Sequence, residues 1–302
     1  MKPTICSKKR SIPSFLLRNI FFIFIIIYVG LQGIAQASLM VTPTRIVFEG
    51  RVRTQEVSLI HRGDKETTYR ISFQHMRMKP DGSYEEIQEP KPNEQFADEF
   101  IRYSPRQVTL KPGQSQTIRL MARKPKNLPA GEYRSHMLFK EIAPPDLGFN
   151  IEREKGKPED IAVQTIALFG VSIPVIVRHG NLSANIKIQE AKVTTGENFN
   201  GKENLPILSL NLTRSGNSSV YGDICVTYTP ENTSKQCEIG RLLGIAVFCP
   251  NDTRHISIPL KIPEGVPLEK GTIHIVYRKC KAEGGDILAE RRLLLSQNIF
   301  SD

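Results

Sequence analysis

The chain has 302 residues, with 41 Lys and Arg against 31 Asp and Glu, a net charge of +10 and 39% apolar side chains. Five of the basic residues and no acid fall within the first 37 positions, which leaves 36 basic against 31 acidic residues and a net charge of +5 for the rest. That balance, with no basic stripe carrying interleaved aromatics, excludes the electrostatic footprint of a nucleic-acid binder.

Residues 1–37 read as a secretory signal peptide: Lys2, Lys8, Lys9, Arg10 and Arg18 precede the apolar run "NIFFIFIIIYVG", and "AQAS" offers Ala35 and Ala37 as the small residues of a cleavage site. The run is short for a membrane span, so the mature chain is expected to start at Ser38 with no stable membrane insertion. Next comes "TPTRIVFEG", a short strand in which Arg45 stands beside Ile46, Val47 and Phe48. A lone cation in such a run marks either an exposed edge or a bound charge partner, because unpaired burial is costly.

Strands then follow nearly throughout, with turn residues every eight to twelve positions, the pattern of an all-β sandwich. In "EVSLIH" Val57 and Leu59 share a face, and in "QTIRLMARK" Ile118, Leu120 and Ala122 oppose Arg119, Met121 and Arg123. Between them, Pro112 and Gly113 of "LKPGQ" suit the centre of a type II turn. Glu85, Glu86 and Glu89 of "EEIQE" read as a solvated loop rather than a pair of catalytic carboxylates.

The charged stretch from Asp146 to Asp160 reads as a mobile loop. A long strand follows, apolar or small at Ile161, Val163, Thr165, Ala167, Phe169, Val171, Ile173, Val175 and Val177. Pro174 cannot donate to a ladder, so part of this strand is expected on a sheet edge. An apolar edge invites pairing with another chain unless the loop or a partner strand covers it.

The strand stops near Gly180, and seven further candidate strands between there and the end suit a second sandwich, giving domains of 38–180 and 181–302. The mature cysteines, Cys225, Cys237, Cys249 and Cys280, are even in number, which in an exported chain suggests two disulfides. A turn at Pro230, Glu231 and Asn232 favours Cys225–Cys237 with Cys249–Cys280, and the other pairings stay open. Zinc is the competing use of these thiols, but no CxxC or HxxxH spacing supports it. Nucleophile elbows and phosphate loops are absent, and the histidines at 61, 75, 136, 179, 255 and 274 are scattered without ligand spacing, so neither an enzyme nor a cofactor is indicated.

Taken in order, the leader, "TPTRIVFEG", "LKPGQSQTIRL", "LPAGEYRSHMLFKEIAPP" and a long apolar strand ending in a basic residue closely resemble the PapD-like periplasmic pilus chaperones over most of residues 40–180. The resemblance implies two immunoglobulin-like β-sandwich domains in a boomerang arrangement. It implies no catalysis and no cofactor, and a chain that binds, folds and caps pilus subunits by lending them a strand. It further implies an outer-membrane usher as recipient and a free protein that is a monomer or a dimer capping its own edges. Val163, Thr165, Ala167, Phe169 and Val171 match the lent residues, and Arg45, with Thr44 and Arg178, matches the anchor for a subunit's terminal carboxylate. Glu132 and Arg178 match the residues that tie the two domains together. The family's second anchor, a lysine, falls on Pro174 here, which leaves open what replaces it. The alternative from another class is a secreted two-domain adhesive or structural fibre component, with the same strands but no cleft arginine.

Overall fold

The computed structural model describes residues 38–143, 168–197, 204–231, 233–266 and 268–295. The expected signal peptide of residues 1–37, the stretch 146–160 read as a loop and the lent-strand candidates Val163, Thr165 and Ala167 lie outside the described residues. The first half holds β1 (Leu39–Thr42), β2 (Ile46–Phe48), β3 (Thr54–His61), β4 (Thr67–Gln74), β5 (Met76–Met78), β6 (Tyr84–Glu86), β7 (Ile101–Ser104), β8 (Gln107–Leu110), β9 (Ser115–Ala122), β10 (Gly131–Ile142) and β11 (Gly170–His179). The second holds β12 (Ala184–Glu197), β13 (Asn204–Gly216), β14 (Val220–Pro230), β15 (Cys237–Val247), β16 (Thr253–Pro259), β17 (Gly271–Arg278) and β18 (Ile287–Leu295).

Alternation along these strands builds two sandwiches, so the fold is all-β. In the first, a sheet ordered β1-β3-β9-β7 faces one ordered β2-β11-β10-β4-β8. Val57, Leu59, Ile118 and Leu120 meet Phe48, Met137, Phe139, Val175 and Val177 in its core, while Arg119 and Met121 point outward. Each such side chain contributes about 1.5–3 kcal/mol by burial. The turn at Pro112 and Gly113 joins β8 to β9: Gln114 N donates to Lys111 O at 2.9 Å, Gly113 takes a φ of +76°, and Gly113 N and Gln114 O bond His61 at the end of β3, both at 2.9 Å. In the second sandwich β12-β13-β16 faces β15-β14-β17-β18 around Leu208, Leu212, Ile224, Val226, Tyr228 and Ile273.

Among the described residues β11 begins at Gly170; the earlier part of the long strand the sequence suggests, residues 161–167, lies outside them. The even face of β11 is not simply mixed: Ile176 is fully buried, in a small third cluster with Met78, Ala246 and Phe248 that joins the two sandwiches. The β5–β6 hairpin reaches across the same junction, where Asn251 Nδ2 donates to Met78 O at 2.5 Å and His255 N to Pro80 O at 2.7 Å.

The expected disulfides are corrected. The four cysteines are free thiols. The turn after Pro230 exists, Thr233 N donating to Pro230 O, but the β14–β15 register sets Cys237 opposite Tyr228 and Cys225 opposite Arg241. The two cysteines therefore stand three residues out of level, about 10 Å along the ladder, beyond the reach of a disulfide. Cys249 lies at the domain junction while Cys280 donates to Asp223 Oδ1 at 3.4 Å.

Arg214, buried on β13, staples the loops that carry the junction: its Nε donates to Asn251 O at 2.8 Å and its Nη1 to Gly216 O at 2.7 Å and Ser218 O at 3.0 Å. Replacing it by alanine strands three carbonyls, and Arg214→Ala is expected to cost about 2–4 kcal/mol, read as a lower urea midpoint at unchanged slope.

Candidate functional site

One face of the sheet β2-β11-β10 is turned away from the first core and toward the second sandwich. Registers make it a small lattice. Glu132 faces Arg178, Arg134 faces Ile176 and His136 faces Pro174 between β10 and β11. β2 runs parallel on the other side, with Val47 level with Ile176. Arg45 and Glu49 therefore fall level with Pro174 and Arg178. Three ranks result: Arg45, Pro174, His136; then Val47, Ile176, Arg134; then Glu49, Arg178, Glu132.

The last rank holds the domains together. Arg178 Nε donates to Glu132 Oε2 at 3.0 Å and Nη1 to Glu49 Oε2 at 3.1 Å, while Nη2 crosses to Ser219 O at 3.1 Å. Glu132, with only 1% of its side chain exposed, accepts from the Ser219 backbone N at 3.0 Å and from the Ser219 hydroxyl. Ser219 Oγ in turn accepts from Cys249 N at 2.9 Å. Burial works against the Arg178 charge, but Glu132 and then Glu49 outweigh it and leave its pKa above the ordinary value. Gly180, just past β11, takes a φ of +75° where the chain turns into the second sandwich, and a side chain there would strike Ala130.

The first rank answers why Arg45 stands in an apolar run. Its guanidinium is 11% exposed, lies 3.9 Å over the Tyr221 ring and pairs with Glu283, on the turn that follows β17. Arg45 thus has a carboxylate partner, and that partner belongs to its own chain. Thr44 is exposed beside it, and Arg178, in the third rank, is committed to the domain junction. The structure therefore places Arg45 and Arg178 on one face but not in one grip.

The outer edge of β11 is uneven. β2 pairs with it only from Val175 to Val177, and among the described residues no strand lies beside Gly170 to Pro174 on that side. Pro174 supplies no N–H there. Pairing with β10 continues back to Phe169, whose carbonyl accepts from Glu141 N at 3.0 Å. Val171 packs against the first core, whereas Phe169 is 68% exposed and Leu168 41%. An aromatic side chain so exposed at an open edge is a surface made for contact.

Of the histidines, His61 bonds Tyr69 and His75 bonds Asp98, and no group of three metal-ligating side chains occurs among the described residues. Glu85 pairs with Arg77 on the surface. Sequence reasoning misses Ser219, Tyr221 and Glu283: each contacts a residue more than 80 positions away, and no local pattern announces such a contact.

No family model and no curated protein matches this chain. Among solved structures it is similar to the CupB2 chaperone of Pseudomonas aeruginosa, at 12% identity and a TM-score of 0.41 over 85% of this chain and all of that one. It is similar to the E. coli chaperone DraB at 15% identity and 0.39, over 86% and 97%. It is also similar to a chain of the CsuC-CsuE pre-assembly complex of a chaperone and a tip adhesion protein from Acinetobacter baumannii, at 13% identity and 0.40, over 86% and 99%.

Removing Arg178 leaves Glu132 buried and uncompensated, so Arg178→Ala is expected to cost about 3–5 kcal/mol in urea unfolding. With Glu132→Gln in the background the loss shrinks, and the double-mutant cycle returns a coupling of about 1 kcal/mol or more.

Proposed function

We propose that the chain is a periplasmic chaperone that captures pilus subunits by strand lending. The partner it fits is an immunoglobulin-like domain lacking its last strand, with an apolar groove to fill. The observation that carries this reading is the open outer edge of β11 ahead of Pro174, with Phe169 and Leu168 exposed where the edge begins. Main-chain bonds along such an edge supply affinity, and alternate side chains seat in pockets. Val163, Thr165, Ala167, Phe169 and Val171 are the residues proposed to enter the groove, with the mature protein running from Ser38 and residues 1–37 as its export signal. The captured subunit then passes to an outer-membrane usher. No catalytic step and no cofactor enters the mechanism.

Arg45, with Thr44 beside it, is proposed to receive the terminal carboxylate of the bound pilus protein. A guanidinium takes a carboxylate through two parallel bonds, which fixes register as well as affinity. In the free protein Glu283 holds that guanidinium, so the incoming carboxylate exchanges with an internal one. Arg178 contributes by keeping the two domains at a fixed setting.

Co-purification from periplasm with pilus proteins encoded nearby tests the role. Wild type retains them, while Phe169→Glu and Arg45→Ala lose them to degradation; retention by both variants contradicts the proposal. Glu283→Gln removes the competing internal carboxylate. It is expected to tighten binding of a peptide bearing the free carboxyl end of such a pilus protein about two- to fivefold, the size of one partly exposed ion pair, with no gain for the amidated peptide.

A further inference from the structure

A second cluster lies on the far side of Pro174 from Arg45. Arg134 and His136 of β10, Tyr84 of β6 and Arg254 of β16 converge beneath the β5–β6 hairpin. The rings of Tyr84 and His136 meet edge to face at 5.4 Å, and Arg134 Cζ lies 4.4 Å over the Phe248 ring. Arg254 packs against Gly82, two residues before Tyr84, so closely that a side chain at Gly82 would strike its guanidinium. Met78, Ile176 and Phe248 supply apolar walls.

The buried polar atoms of this cluster are not satisfied. Arg134 Nη1, Arg254 Nε and both ring nitrogens of His136 have no hydrogen-bond partner, and these are all the buried side-chain nitrogens and oxygens in that condition among the described residues. His136 is only 4% exposed. Arg134 has one bond, from Nη2 to Met76 O at 3.3 Å, and Arg254 one, from Nη1 to Ala246 O at 2.6 Å; neither pairs with a carboxylate. The acids whose fields reach these arginines are engaged elsewhere: Glu132 by Arg178 and Ser219, Glu94 by Arg77, and Asp81, which acts on Arg254 without a hydrogen bond to it, by Ser83. Two guanidiniums without a counter-ion and an imidazole without a partner are each costly to bury, and a native fold keeps such groups where something else completes them.

We propose that Arg134, His136 and Arg254 form a carboxylate-binding site at the domain junction, roofed by Tyr84. Arg134 Nη1, Arg254 Nε and one nitrogen of the His136 ring offer three donors to the lone pairs of a carboxylate, and the apolar walls suit a singly charged, planar group better than a phosphate. Tyr84, 43% exposed, is the outer wall, so turning its ring outward is the route by which a carboxylate would enter. The site uses none of the residues assigned to strand lending and stands whether or not that role holds. A carboxylate reaches it either as a chain terminus or as an acidic side chain.

Burial, and then Arg134 and His75, push the His136 pKa down to about 3. The groups facing this ring are Arg134 on its own strand, His75 after β4, Tyr84 on β6 and, through Tyr84, Arg254. None is an acid, so an arriving carboxylate is the change that raises the pKa, and binding takes up a proton.

The full-length mature protein titrated with sodium acetate against sodium chloride at matched ionic strength tests this. The expected result is a saturable shift of the His136 ring resonance and a raised apparent pKa for acetate alone, weakening as pH rises. Arg254→Gln, at a partly exposed position, keeps the fold and lowers acetate affinity at least tenfold. N-acetylglycylglycine, its amide and N-acetylaspartamide then separate a chain terminus from an acidic side chain, and preference for either free acid supports the site. A ring that responds equally to chloride, or an acetate response unchanged in Arg254→Gln, overturns it.

Discussion

The ion pair between Arg178 and Glu132, closed by Ser219, is the constraint on which the arrangement depends. Glu132 lies at the start of β10 and Arg178 at the end of β11, so the pair fixes the register of the two strands that carry the open edge. The same carboxylate and the same guanidinium each reach Ser219 in the second sandwich. One buried junction therefore sets both the edge and the domain angle. Such a pair is weak evidence of stability by itself, because desolvation offsets much of the attraction, but breaking it leaves a charge with nowhere to go.

From that junction the face runs outward in ranks of decreasing satisfaction. Arg178 and Glu132 are saturated with partners; Ile176 is buried in apolar contact; Arg45 is held by Glu283 and Tyr221; and the Arg134 and His136 side is short of partners. Pro174 sits between Arg45 and the neutral His136 in the outermost rank and offers neither charge nor N–H. The lysine that the resemblance calls for at this place is thus bordered by an arginine on one side and a histidine on the other.

Much of the fold was legible. Period-2 alternation located the core faces of β3 and β9, and Pro112 and Gly113 marked the turn into β9, because both signals are local. The seven strands of the second half were read for the same reason. The disulfides were misread because a turn alone does not set register: the ladder beside the turn pairs Tyr228, not Cys225, with Cys237, and the shift between Val226 and Thr227 moves Cys225 one position further, opposite Arg241. Ile176 was underestimated because its alternation points away from its own core, and only a second domain makes that side an interior. Arg45 stood out as an anomaly, yet its partner Glu283 lies 238 positions away and no spacing rule finds it.

Amide hydrogen exchange at residues 170–173 of β11, in the free protein and with a pilus protein bound, is the decisive experiment for strand lending. Fast exchange is predicted at the outward amides of the free chain, where β2 no longer covers the edge, with protection by orders of magnitude once the partner is bound. Binding with exchange at these residues unchanged would contradict strand lending, because the partner would then be held somewhere other than the open strand.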